Sequence, residues 1–160
     1  MRPFQIFATM SPERAVVFCR ALADEAPTAF AQSLALAAGA FRMRPVALKR
    51  LPFEKRAHFV RRALARVASD PLAEEMLAVY FLECRNSLLV GWLDRLGLEH
   101  EEGTLKGDAP EQPAAPELKK AVEAFLEDAD GDAEDRELLL RAFASQKAID
   151  WPALGALLES

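Results

Sequence analysis

The sequence predicts an all-α protein, an irregular bundle of about eight or nine short helices or a set of stacked helical hairpins. Three observations carry that reading. Ala and Leu dominate while Gly, Tyr and Thr are scarce, and Ala and Leu lose little entropy in a helix. Apolar residues recur at helical spacing, whereas alternation suited to a strand never extends beyond a few residues. Ser, Asp and Pro stand where those helical patterns begin. No period of roughly 33–45 residues occurs, so a regular solenoid is not expected.

Taken in order, Ser11-Pro12-Glu13 opens the first expected helix with a cap, a first-turn proline and a dipole-matched acid. Phe18 and Leu22 form its stripe. Pro27-Thr28 restarts the chain into an Ala-rich helix carrying Phe30, Leu34 and Phe41, which Gly39 weakens or ends. So much Ala implies close approach of neighbouring helices. Pro45 and Pro52 bracket a short helical turn. The clearest amphipathic helix follows, over about residues 53–68, with Phe53, Val60, Leu64 and Val67 on one side and Lys55, Arg62 and Arg66 opposite. Asp70-Pro71 starts a helix that is apolar nearly all round over residues 76–82, suited to a bundle centre. A break at residues 85–87 precedes a helix with Trp92, stopped by Gly97. Beyond residue 116, helical spacing returns through Leu118, Val122, Phe125 and Ala129. A turn at Gly131 with an Asp132 cap leads to a helix with Leu138, Leu140 and Phe143, and Trp151-Pro152 opens the last one.

Composition divides the chain into an N-terminal helical bundle (residues 1–98), a linker rich in Pro, Gly and acid (99–116), and a small acidic helical subdomain (117–160). Three short helices have little core of their own, so residues 117–160 are expected to pack on the bundle. Residues 1–10 are too short and mixed for a signal peptide's apolar stretch. Met10 reads as an alternative start, which would leave the first nine residues loosely attached. The longest apolar runs, 34–41 and 76–82, fall far short of the roughly 20 residues a membrane span needs.

Charge is the most asymmetric property. Residues 42–66 hold nine Lys/Arg against one acid, Glu54, while residues 99–160 hold sixteen Asp/Glu against six Lys/Arg. The candidate binding residues are Lys55, Arg62 and Arg66, supported by Arg56, Arg61, Arg42, Arg44, Lys49 and Arg50. They could hold phosphates, dock an acidic partner, or be answered by the chain's own acids. The pI of about 5.2, and the lack of any Asn or Gln within 42–66, weigh against base reading.

Other chemistry finds little support. Residues 128–137 resemble a calcium loop, but with Gly131 at the sixth position the first ligand would be Leu126. Cys19, Cys84, His58 and His100 match no metal spacing, and both cysteines read as buried reduced thiols. No nucleophile elbow or phosphate-cradling glycine loop occurs. Glu74, Glu75, Glu83 and Asp94 could meet in a cleft. Trp92 reads as a packing anchor, or as one wall of a pocket reached past Gly91. The expectation is a cytoplasmic protein–protein interaction or adaptor module, a monomer or weak homodimer, without cofactor, metal or membrane. A nucleic-acid-associated regulator and a small enzyme are the alternatives.

Overall fold

Proline sets the start of most helices. It stands at the first or second position of α1 (Pro3–Thr9), α2 (Pro12–Glu25), α3 (Pro27–Ala40), α4 (Pro45–Lys49), α6 (Asp70–Val79), α8 (Ala115–Glu127) and α10 (Pro152–Glu159). Its missing N–H costs nothing there, and its fixed φ favours the helical turn. α5 (Phe53–Leu64) follows Pro52 directly, while α7 (Asn86–Arg95) and α9 (Ala133–Ser145) start without proline. The computed structural model describes residues 1–128 and 133–160, and over these it is all-α with ten α-helices. The expected Gly131 turn and Asp132 cap lie outside the described residues, as does Ala129.

Two compact units divide the chain, Arg2–Cys84 and Arg85–Ser160, with Met1 grouped in the latter. The division falls ahead of α7, not in the composition-defined linker after residue 98. The reason is aromatic: the Trp92 ring lies 5.2 Å from Phe125 of α8 and 5.9 Å from Phe143 of α9. Helix α7 therefore shares its core with the acidic half.

In Arg2–Cys84, α5 packs on α1, α2 and α3, and α1 also packs on α6. Ala37, Ala57, Ala63 and Ala73 are fully buried, as the Ala-rich composition requires of closely approaching helices. Phe7, Phe18 and Tyr80 form the aromatic centre, with Phe7 edge-on to Phe18 and Phe18 stacked on Tyr80 at 4.5 Å. Residues 1–9 are not loosely attached. Ile6 and Phe7 are buried, and the Asp70 carboxylate accepts the Phe4 N–H at 3.0 Å and an Arg2 N–H at 3.1 Å. A seven-residue helix is unstable alone. Here a carboxylate distant in sequence satisfies one of its free N-terminal amides, which local capping signals could not reveal.

Helix α5 ends at Leu64, earlier than the periodicity suggests. Arg66 is extended (φ −86°, ψ 141°) and leads into a 3₁₀ turn, Val67–Ser69. Val67 consequently leaves the apolar stripe and is 59% exposed. Helix α6 widens into a π-helical turn, Tyr80–Cys84, before the break at Arg85.

In Arg85–Ser160, α8, α9 and α10 pack on one another. The linker residues are tied down within this unit. An antiparallel hairpin, β1 (His100–Glu101) and β2 (Thr104–Leu105), turns at Glu102 (φ 51°) and Gly103 (φ 98°). Two successive positive φ values are what a two-residue hairpin turn of the matching twist requires. Asn86 donates to the Glu102 carbonyl at 2.7 Å, and the Trp151 indole N–H donates to the Pro110 carbonyl at 2.9 Å. Composition read this segment as a spacer because these bonds link positions far apart in sequence.

Candidate basic interface

Helix α5 carries the candidate surface because its two sides are chemically opposite. Ala57, Val60, Ala63 and Leu64 are buried, whereas Lys55, His58 and Arg62 are exposed. Arg42, Arg44, Lys49, Arg50 and Arg66 are exposed as well, on the segments before and after this helix. Arg66 belongs to the surface although it lies beyond the helix end. Arg56 and Arg61 are half-buried. Arg61 donates to the Phe7 carbonyl at 3.4 Å, so part of its charge serves the C-terminal end of α1.

Phenylalanines organise these cations into two groups. Around Phe41, the guanidinium carbons of Arg62 and Arg66 lie 4.8 Å and 5.8 Å from the ring centre. Phe41 in turn contacts Phe59 at 5.4 Å, and Arg66 donates to the Ala40 carbonyl at 3.3 Å. Around Phe53, Arg20 and Arg56 lie at 4.0 Å and 5.1 Å, and Phe30 stacks on the same ring. A guanidinium over an aromatic face is attracted by the ring quadrupole and loses part of its rotamer freedom. None of the nine cations of residues 42–66 forms an ion pair with a carboxylate of Arg2–Cys84. The Phe41 pedestal and the Arg20–Phe53 contact escaped sequence reasoning because those partners meet across helices, whereas Arg56 and Phe53 share α5. Periodicity placed Phe53 on the apolar side of its helix and named Phe41 only among the apolar residues of the Ala-rich helix.

The remaining candidates are placed as follows. Trp92 is fully buried against Phe125 and Phe143, with its indole N–H unpartnered. Gly91 is exposed, with no atom within 4 Å of where a Cβ would sit, so it does not admit a close neighbour. A small cavity of about 40 Å³ lies between α9 and α10, lined by Met1, Arg141, Ala144, Gly155, Leu158 and Glu159. Neither Trp92 nor Glu74 nor His58 reaches it. Asp94 pairs with His100 at 2.6 Å. The other His100 nitrogen, Nδ1, accepts the Gly103 N–H at 3.1 Å. With Nδ1 accepting, Nε2 carries the proton toward Asp94, so both nitrogens are committed to holding the hairpin.

Of the calcium-loop residues, Asp128 pairs with Arg95 at 3.4 Å and Glu137 with Arg141 at 2.7 Å, while 130–132 lie outside the described residues. Among the described residues no three His, Cys, Asp or Glu side chains gather as a metal site would need. Cys19 and Cys84 are free thiols, and burial pushes the Cys19 thiol up to about 12, which keeps it protonated and unreactive at neutral pH. Among the described residues no helix is long and apolar enough to cross a membrane. No protein-family model, no curated protein and no solved structure matches the chain.

Proposed function

We propose that this chain is a cytoplasmic interaction module that docks an acidic protein surface on the basic face around α5. The observation behind the reading is one of unmet charge. Nine cations crowd residues 42–66, most are exposed, and no carboxylate of their own unit pairs with them. Like charges held together raise the free energy of the unbound state, and an approaching anionic surface relieves that repulsion. The two free thiols suit a reducing compartment. The module works as a monomer or weak homodimer.

The test is affinity capture at about 50 mM and about 200 mM salt, with wild type and a Lys55→Glu/Arg62→Glu/Arg66→Glu variant, followed by identification of the retained proteins. An acidic protein held by wild type, released by salt and lost in the variant supports the reading. Identical retention by the two proteins overturns it. Salt-dependent retention of nucleic acid in place of protein moves the assignment to a nucleic-acid regulator.

A further inference from the structure

We infer that the anchor of the basic face is the corner around Phe41, where Arg42, Arg62 and Arg66 together take neighbouring carboxylates on an acidic segment of a partner protein. This rests on the reading of the basic face as a docking surface and names where its affinity resides.

The first observation is the shared ring. Arg62 and Arg66 both lie over Phe41, which Phe59 backs in turn. Their charges are thereby brought close with no carboxylate of the unit between them. Both residues are exposed, and a restrained guanidinium loses less entropy when it binds than a free one.

The second observation is a backbone conformation. Helix α3 ends in a Schellman motif: the Met43 N–H returns to the Ala38 carbonyl at 2.9 Å and the Arg42 N–H to Gly39 at 3.4 Å. The left-handed position of that motif, φ 53°, is occupied by Arg42. Helix α7 ends in the same motif, with Leu98 N–H to Leu93 at 3.1 Å and Gly97 N–H to Asp94 at 3.0 Å. There the left-handed residue is glycine, φ 70°, the residue that adopts it without steric penalty. One chain thus ends two helices the same way, once with the favoured residue and once with an arginine that strains the backbone. Arg42 is exposed, and among the described residues no hydrogen bond or ion pair of its side chain repays the strain. A third cation immediately after Phe41 repays it when a ligand binds.

Carboxylates of a protein segment fit better than nucleic acid. The chain carries 25 Asp/Glu against 20 Lys/Arg, a net charge of −5, which disfavours a long polyanion. Residues 42–66 also contain no Asn or Gln to read bases.

The test uses the full chain and a fluorescein-labelled polyglutamate peptide, with a single-stranded oligonucleotide as competitor, followed by fluorescence anisotropy. Arg62→Gln, Arg66→Gln and Arg42→Gly should each weaken peptide binding about tenfold, the loss of one charge-assisted contact. Lys106→Gln and Lys120→Gln, equal changes of charge at exposed positions outside the basic face, should weaken it less than about twofold. Arg42→Gly should raise the urea midpoint while it lowers affinity, and Arg42→Lys should retain most of the binding. That pair separates charge from backbone and does not depend on a fragile variant. If wild type binds but the three Phe41-corner variants weaken it no more than the two controls do, the Phe41 anchor is wrong and the docking surface stands. If wild type shows no binding at about 50 mM salt, both readings fall. Preference for the oligonucleotide over the peptide overturns the assignment to a protein segment.

Discussion

The two units use most of their arginines in different ways, Arg2 with Asp70 being an exception in Arg2–Cys84. In Arg85–Ser160, Arg85 pairs with buried Asp135 at 2.8 Å, Arg95 with Asp128, and Arg141 with Glu137. Arg136, itself only 4% exposed, donates to the Phe125 carbonyl at 2.9 Å and lies over the Phe125 ring. In that unit the cations are scarce, and all four arginines are tied to acids or to a helix end. In Arg2–Cys84, twelve Lys/Arg face eight acids, and the surplus collects on Phe41, Phe53 and the open surface. Arginines of the first kind hold structure together. Those of the second kind leave structure nearly indifferent, and that makes them available for a partner.

The comparison yields predictions of decreasing size. Emptying either core should cost the most: Phe7→Ala in one unit and Trp92→Ala in the other should each lose about 3–5 kcal/mol in urea unfolding. A Phe7→Ala loss near zero would mean that α1 adds nothing to its unit. Removing a structural ion-pair partner comes next. Asp135→Ala should cost about 3 kcal/mol, because Asp135 is buried and Arg85 half-buried. Asp70→Ala should cost about 1–3 kcal/mol by leaving the Phe4 amide and Arg2 without their acceptor.

The left-handed positions should then give effects of opposite sign. Gly97→Arg should destabilise and Arg42→Gly should stabilise, each by about 1 kcal/mol. Equal signs would remove the strain argument. Smallest of all, Lys55→Gln and Arg62→Gln should shift stability by no more than about 0.5 kcal/mol. A loss as large as that of Asp135→Ala would erase the distinction between the two kinds of cation.

Alkaline behaviour separates the units in another way. The Cys19 thiol is raised above its ordinary value of 9.0, so the folded state keeps a proton that the unfolded chain gives up. Its contribution is present in full below about pH 9 and is lost as pH rises through about 12. Wild type should therefore lose more stability than Cys19→Ala between those values, measured by urea midpoints. The thiol should also resist alkylation in the folded protein at pH 9.

Much of the secondary structure was legible locally. Ser11 caps α2 by accepting the Arg14 N–H at 3.1 Å, Glu137 pairs with Arg141 one turn on, and Gly97 ends α7. Each is a short-range effect, decided within four or five residues, so neighbouring letters suffice. The anchor of α1 was not legible, because Asp70 lies far away in sequence. Nor was the end of α5, where the apolar spacing runs on through Val67 although the backbone does not. The candidate surface was half legible. Its charge was plain in residues 42–66, but Phe41 was read only as one of the apolar residues of an Ala-rich helix, and Arg42 gave no sign of its backbone conformation.

The sequence by itself determined the all-α class, the starts of most helices through proline, and the concentration of positive charge before residue 67. These follow from the intrinsic conformational preferences and ionisation of single residues, which context scarcely alters. Tertiary structure alone decided that the division falls before α7, that linker residues are pinned by Asn86 and Trp151, and that two arginines share one phenylalanine. Such outcomes depend on which distant side chains meet. Packing sets that, since burial rewards a side chain for the surface it covers and not for its neighbours in the chain.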